Sequence, residues 1–594
     1  MTDLWIHPAL ILLIGAALLP LVPERLRRGY ILFVPALVFA QIYFMDHGMY
    51  GQVPFIAWEL TFGRVDALSQ VFGYIMSLMA LIGTLYGLHV RRTGELVAAW
   101  VYVSGSLGAI YAGDLLTLFV FWELMAFSSV FLIWYRGRKE SLSSGFRYLM
   151  VHAAGGVSLL AGILLYARTA DSLAFNAFNV AQPGIGEWLI LIGFILNAAV
   201  PPLHAWLPDG YAEATFNGSV FLCTFTTKTA VYTLVRGFPG MEILIWLGVI
   251  MVLYGVTYAF LVNDARRLLS YHIVSQVGYM VTGVGIGTQL ALNGVCAHAF
   301  AHILYKGLLF MGTGSVLYMT GQSKFTELGG LYKKMPWTFV FTLIGALAIS
   351  AFPLFSGFVS KAMTVSAAFY QDMVWAGFLL SLASVGTFVS IGLKISYLVW
   401  FGKNRCKPET WDKAADPPWN MNLAMAIAAF LCIFIGVYTP YLYNMLPFDY
   451  IYDPYTSAHV SKAMQLLLFA MLGFFVLIKK LEPKEVVALD TDWLYRRGAQ
   501  LFYRAADKGL NGLNQKGENI GMRRIPTELG RFFAKPGGHI QWLLMRPFAR
   551  DHGEAARLRE QIDQRSRHGS YPVGVSVLLS VLFLSLVSIL FFIF

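Results

Sequence analysis

His298-Ala299-Phe300-Ala301-His302-Ile303-Leu304-Tyr305-Lys306 lies inside an apolar run from about Asn293 to Met319. Two histidines and a lysine at i, i+4 and i+8 fall on roughly one face of a helix. The Ala, Phe, Leu, Ile, Met and Gly around them suit a membrane-spanning helix. A charged side chain at the centre of such a helix costs about 2.5–3.5 kcal/mol on insertion scales, so it reads as a functional site with partners on other helices. The plainer alternative is a lysine snorkelling to the interface and histidines bonded to helix carbonyls. Apolar sequence runs well past Lys306 on both sides, which argues against snorkelling.

The rest of the chain agrees with a membrane setting. Of 594 residues, 57% are hydrophobic and 13% charged, and the mean hydropathy is +0.61. Repeated apolar runs of about 17–25 residues make this a polytopic helical membrane protein. The first run, near Pro8–Leu21, has no basic stretch before it and no small-residue cleavage site after it, so it reads as a retained helix. The net charge of +11 belongs with anionic lipid headgroups and cytoplasmic loops rather than nucleic acid. Cys223, Cys296, Cys406 and Cys432 are scattered without paired spacing. They suggest no metal or redox centre, and without a Gly-rich phosphate loop no bound cofactor is expected.

Apolar segments fall near residues 8–22, 30–45, 67–89, 97–112, 115–135 and 147–167. Glu24-Arg25-Leu26-Arg27-Arg28, Arg91-Arg92 and Arg136-Gly137-Arg138-Lys139 follow the first, third and fifth. The positive-inside rule then puts the N-terminus outside. Further segments run near 187–200, 217–236, 242–262, 268–287, 291–319, 337–352, 354–371, 374–401, 422–442 and 462–479. Two are interrupted alike, by Pro201-Pro202 with His204 and by Pro353 with Ser356-Gly357. Paired breaks suggest repeats with discontinuous helices, whose freed backbone groups line an ion path. Residues 491–570 hold 15 Lys/Arg against 8 Asp/Glu, with Leu494, Leu501, Phe502, Ala505, Leu510 and Leu513 at helical spacing. That pattern reads as an amphipathic helix on the membrane or on partner helices. At about 20 residues it would span ~30 Å and brace one neighbour. Pro536-Gly537-Gly538 breaks the tail, and Val573–Phe594 closes the chain in the bilayer.

Glu123 lies halfway along its apolar segment, and Lys228 is likewise interior. Apposed, they would hold each other charged; separated, the lysine would lose its proton, which makes the pair a switch. The static alternative is an ion pair that fixes helix packing. Arg266 follows Asp264 at a loop, and His272 lies near the start of the next apolar run, where it can accept a proton. Lys361 follows the second break, and Lys394 precedes Trp400 either as a pathway member or as an interfacial anchor. These groups cannot bridge the gaps between them without water.

At these residues the chain resembles the antiporter-like family shared by Mrp cation/proton antiporters, respiratory complex I and membrane-bound hydrogenases. The resemblance is carried by Gly113-Asp114-Leu115-Leu116 with Phe121-Trp122-Glu123, by His204-Ala205-Trp206-Leu207-Pro208-Asp209, and by Lys228-Thr229-Ala230-Val231-Tyr232. Ser270-Tyr271-His272 with Ser275-Gln276, the His298–Lys306 stretch and Gly357-Phe358-Val359-Ser360-Lys361 complete it. It implies an all-α polytopic membrane fold of about 14–16 transmembrane helices. Residues 1–95 would be N-terminal helices, 96–265 and 266–402 two inverted five-helix repeats with broken helices, and 403–480 additional helices. An amphipathic tail at 481–570 and a terminal transmembrane helix at 571–594 would follow. By the same resemblance Glu123 and Lys228 form the input pair; Arg266, His272, His298, His302 and Lys306 relay; Lys361 faces the exit.

Three departures stand out. Arg266 replaces a common lysine and cannot release its proton, Asn197 replaces another, and Ala214-Thr215-Phe216-Asn217 replaces Ala-Pro-Thr-Pro. The expected role is the proton-translocating subunit of a multisubunit Na⁺ or K⁺/proton antiporter in a bacterial or archaeal cell membrane, with other membrane subunits as partners. A pumping module of a redox complex, a bicarbonate-energising module and a scaffold of frozen ion pairs are the alternatives.

Overall fold

Helices start here where a side chain can take the first free N–H groups. Asp66 accepts from Ser69 N, Asp114 from Leu116 N and Thr117 N, Asp264 from Arg267 N and Thr288 from Ala291 N. Each such cap is worth about 1 kcal/mol. The computed structural model describes residues 5–170, 172–478, 482–485, 490–566 and 573–593. Phe594 and the tail junctions at 479–481, 486–489 and 567–572, all within expected segments, lie outside the described residues.

Two units are present, Met1–Asp492 and Trp493–Phe594. The first opens with α1 (Pro8–Leu18) and α2 (Glu24–Tyr43). An antiparallel hairpin, β1 (Gly48–Phe55) and β2 (Trp58–Val65), follows. Next come α3 (Ala67–Tyr86), α4 (Thr93–Tyr111), α5 (Leu115–Trp134), α6 (Lys139–Ala167) and α7 (Ile185–Asn197). The first break holds the short α8 (Trp206–Glu213) and α9 (Gly218–Leu222) before α10 (Thr226–Gly237). Then follow α11 (Ile243–Leu261), α12 (Ala265–Ile286), α13 (Gln289–Thr320), α14 (Pro336–Ile349), α15 (Ser356–Tyr370) and α16 (Val374–Thr387). The last continues with π-type turns over Phe388–Phe401. After it come α17 (Pro408–Lys413), α18 (Trp419–Val437), α19 (Pro440–Tyr443) and α20 (Ser457–Leu477). Helix is therefore present at each segment read from hydropathy, and the hairpin is the one departure from an all-helical first unit.

Eight described helices are long and apolar enough to cross a membrane by length and composition, and shorter apolar ones include Ile185–Asn197 and Pro336–Ile349. Those two are short because the chain breaks after them. Val200 N donates to Ile195 O (3.0 Å) and Phe352 N to Leu347 O (3.1 Å), with Ala199 and Ala351 at φ 60° and 55°. The helix starts repeat in the same way. Leu115 N donates to Leu173 O and Phe175 N to Gly113 O, while Ala265 N donates to Ser323 O and Phe325 N to Asn263 O. Matching bridges pair Asp114 with Ala174 and Asp264 with Lys324.

Burial, not hydropathy, sets the centre of the unit. α13 has the lowest hydropathy of the eight spans, 1.3, yet its most apolar window is 100% buried; α20, at 1.9, is 11% buried. Polar residues have taken α13 out of contact with lipid, among α3, α12, α14, α15 and α18.

The second unit is helical without interruption across α21 (Asp492–Ala506), α22 (Gly512–Glu518) and α23 (Ile525–Ala534), joined by π-type turns. At 1.5 Å per residue it is about 60 Å long, twice the reach expected from the sequence, because its interior glycines do not stop it. It stops at Pro536, where α24 (Pro536–Met545) begins; α25 (His552–Ser566) and the apolar α26 (Val573–Ile593) complete the unit. Leu501, Phe502, Leu510 and Leu513 are all exposed along the long helix.

Candidate functional site

His298, His302 and Lys306 are completely buried, so none of them faces lipid. The rings of His298 and His302 lie 6.1 Å apart, with Tyr305 beside both. His298 Nδ1 shares a hydrogen bond with Ser360 Oγ on α15 (3.2 Å), and Tyr305 OH reaches His298 Nε2 (3.4 Å). Both ring nitrogens of His302 are buried without a protein partner. Lys306 Nζ donates to Leu269 O on α12 (2.9 Å). Three residues further on, His272 Nε2 bonds Ser390 Oγ (2.6 Å), leaving Nδ1 unpartnered. A dry cavity strands such atoms; a wet one links them.

The other lysines sit at helix ends, where carbonyls lack intrahelical donors and the helix dipole is negative. Lys228 Nζ donates to Cys223 O (2.6 Å) at the end of α9 and to Thr227 Oγ1 (3.0 Å). Lys361 Nζ donates to Ile349 O (2.9 Å) at the end of α14. Lys394 Nζ donates to Phe260 O (2.8 Å) and Val262 O (3.1 Å) at the end of α11. Lys361 also lines a cavity of about 150 Å³ with Ser350, Ser384, His459 and Lys462, large enough for several waters. The breaks thus supply the ligands of Lys228 and Lys361. Pro353 is buried at the second break, and a Cβ on Gly357 would lie 1.8 Å from Ala348 O, so only glycine lets α15 start there.

Arg266 is used differently from the relay residue that the resemblance implies. Its Nη1 donates to Ala212 O (3.1 Å) and Ala214 O (3.0 Å), and its Nη2 to Tyr211 O (3.3 Å) and Thr215 O (3.0 Å). The planar fork suits the carbonyls clustered at the end of α8 and in the turn to α9; two of them accept elsewhere as well, Ala212 O from Arg136 Nη1 (2.6 Å) and Thr215 O from Ser219 N (3.1 Å).

Glu123 and Lys228 do not form the ion pair expected of them. Among the described residues no cation lies within ion-pair distance of Glu123, and Lys228 is held by backbone and Thr227. The Glu123 carboxylate instead rests against α6 at Gly156, where a Cβ would lie 1.9 Å from Oε1. Oε1 is buried and unpartnered.

Two groups went unread in the sequence. His152 on α6 is buried, its Nδ1 bonded to Asn197 Oδ1 (2.8 Å). Asp490 takes hydrogen bonds from Tyr254 and Tyr271 (2.5 Å each) and lies 3.2 Å from His204 Nε2. Next to it, Thr491 Oγ1 donates to Pro202 O (3.0 Å). The break residues Pro202 and His204 are therefore where the chain after α20 is fastened. Burial opposes the charge on Asp490, yet bonds from His204, Tyr254 and Tyr271 hold its carboxyl well below the ordinary range. Among the described residues no group of three or more His, Cys, Asp or Glu is placed to hold a metal ion.

The family profile described as "NADH:quinone oxidoreductase/Mrp antiporter, TM" matches residues 112–388, from the Asp114 cap to the π-type turns. Over 342 residues the chain is 31% identical to a Na(+)/H(+) antiporter subunit from Alkalihalophilus pseudofirmus, covering 53% of this chain and 69% of that protein. The chain belongs to the NADH:quinone oxidoreductase/Mrp antiporter transmembrane family. This family member is also 29% identical over 432 residues to hydrogenase-4 component B of Escherichia coli (strain K12), covering 66% of this chain and 64%, just under two thirds, of that protein. The Mrp complex from Dietzia sp. DQ12-45-1b contains a chain of the same fold, with a TM-score of 0.66 at 20% identity, covering 78% of this chain and 98% of that one.

Proposed function

We propose that this chain is the proton-translocating subunit of a multisubunit Na⁺ or K⁺/proton antiporter in the cell membrane, its N-terminus outside. Residues 96–265 and 266–402 act as its two repeats. Protons pass from Glu123 and Lys228 through Lys306, His302 and His298 to Lys361, with His272 and Lys394 flanking the path and Arg266 holding the first break. One observation carries this reading: among the described residues none of Lys228, Lys306, Lys361 and Lys394 has a carboxylate partner, and all four are held by backbone carbonyls instead. A scaffold of frozen ion pairs needs those partners. An amine on a carbonyl keeps its seat whether or not it carries a proton, so charge can come and go. Each charge crossing 100 mV exchanges about 2.3 kcal/mol with the membrane field.

The test is transport by the assembled complex in vesicles at a fixed pH gradient. Proton flux that rises with Na⁺ or K⁺ and is lost in K306M supports the antiporter. A proton-pumping module of a redox complex is the second reading, supported by the 29% identity to hydrogenase-4 component B over 66% of this chain. Cation-independent flux and co-purifying iron–sulfur proteins would decide for it.

A further inference from the structure

The pathway has a gap where the expected Glu123–Lys228 pair is missing, and α6 fills it. Gly156 and His152 are four residues apart, so their Cβ positions lie about 5–6 Å from each other on one face. Glu123 Oε1 is 1.9 Å from where the Gly156 Cβ would stand, which puts the carboxylate one helical turn from His152. Glu123 Oε1 and His152 Nε2 are both buried and unpartnered. With Asn197 Oδ1 accepting at Nδ1, the ring hydrogen sits on Nδ1 and Nε2 presents a free lone pair. On its other side His152 packs on Tyr148, ring centroids 4.2 Å apart, and Tyr148 OH bonds Ser129 Oγ (2.8 Å). Thr226, held by Tyr102 OH (2.7 Å), opens the helix that carries Lys228.

We propose that His152 is a proton relay between Glu123 and Lys228, with Asn197 as its positioning residue; this rests on the proton-pathway reading above. A protonated Glu123 passes its proton through one water to His152 Nε2. The imidazolium is steadied by Nδ1–H on Asn197 Oδ1. The proton then leaves from Nε2 through water and the hydroxyls of Tyr148, Ser129 and Thr226 to the Lys228 amine, and Glu123 is left as carboxylate. The step consumes nothing else. Trp206, edge-on to His152 at 4.5 Å with its Nε1 tied to Leu196 O, keeps the ring in place.

The experiment uses the assembled complex in vesicles, comparing wild type, E123Q, H152Q and E123Q/H152Q by initial proton flux under an imposed pH gradient. Infrared difference spectra give the C=O stretch of protonated Glu123, assigned by its loss in E123Q. We expect H152Q to lose about 100-fold in flux, the double variant to be no slower than E123Q, and the Glu123 band to shift in H152Q. Wild-type flux in H152Q beside a dead E123Q overturns the relay alone, as does an additive double variant or an unmoved band. Wild-type flux in E123Q overturns the pathway reading itself. If H152Q does not assemble, N197L, which removes only the Nδ1 partner, is scored by the same criteria.

Discussion

Gly156→Ala separates proton transport from stability more cleanly than any change to a charged residue. Alanine is favoured over glycine in a helix by about 1 kcal/mol, so α6 itself gains. The new Cβ would stand 1.9 Å from Glu123 Oε1 and 2.7 Å from its Cδ. The obstacle is the end of a flexible side chain, so it moves at low cost. To reach ordinary contact the carboxylate must withdraw by about 1 Å or more. A misplacement of that size in a reacting group costs about 100-fold in rate. G156A is therefore expected to keep or raise the thermal stability of the complex in detergent while slowing proton flux in vesicles about 100-fold. G156A with wild-type flux would refute the placement of Glu123 against α6.

Four further outcomes are expected. Replacing Arg266 with Met takes the donor from Tyr211 O and Ala214 O, since Ala212 O keeps Arg136 and Thr215 O keeps Ser219 N, at about 1–3 kcal/mol for each that water cannot reach, so the chain should accumulate less in membranes; R266K, with fewer donors at one point, should fall between. A stable but transport-dead R266M would mean that the fixed charge of Arg266 serves the pathway rather than the fold. K306M removes a buried charge and should abolish flux with stability unchanged or higher, read from a melting curve beside the transport assay. Asp490, whose carboxyl is depressed in the folded state, stabilises its seat fully above about pH 3.9 and loses that contribution as pH falls below it. Protease cutting around residues 482–491 should rise on acidification, and D490N should be cut faster at neutral pH.

The helix pattern and both breaks could be read from the sequence, because hydropathy and proline act locally. The α13 face was legible for the same reason: two histidines and a lysine in an apolar run have no cheap alternative. The hairpin was not, since Gly48–Phe55 is exposed along most of its length and shows no alternation. The Glu123–Lys228 pairing failed because it is a distance between helices, and a one-letter string carries no crossing geometry. Arg266 is a relay residue by resemblance, whereas its fork meets the carbonyls at the end of α8 and in the turn to α9. His152 sits alone among apolar residues, and the one signal beside it is Gly155-Gly156 a turn on. Asp490 lies in a polar junction where any aspartate looks solvated.

Proton passage here requires water in the interior of the first unit, and a high-resolution density map of the chain in its complex would show it. Ordered waters are expected between Glu123 Oε1 and His152 Nε2, on both ring nitrogens of His302, and from Lys306 through His298 to Lys361. Apolar side chains or acyl chains filling those gaps would contradict the pathway.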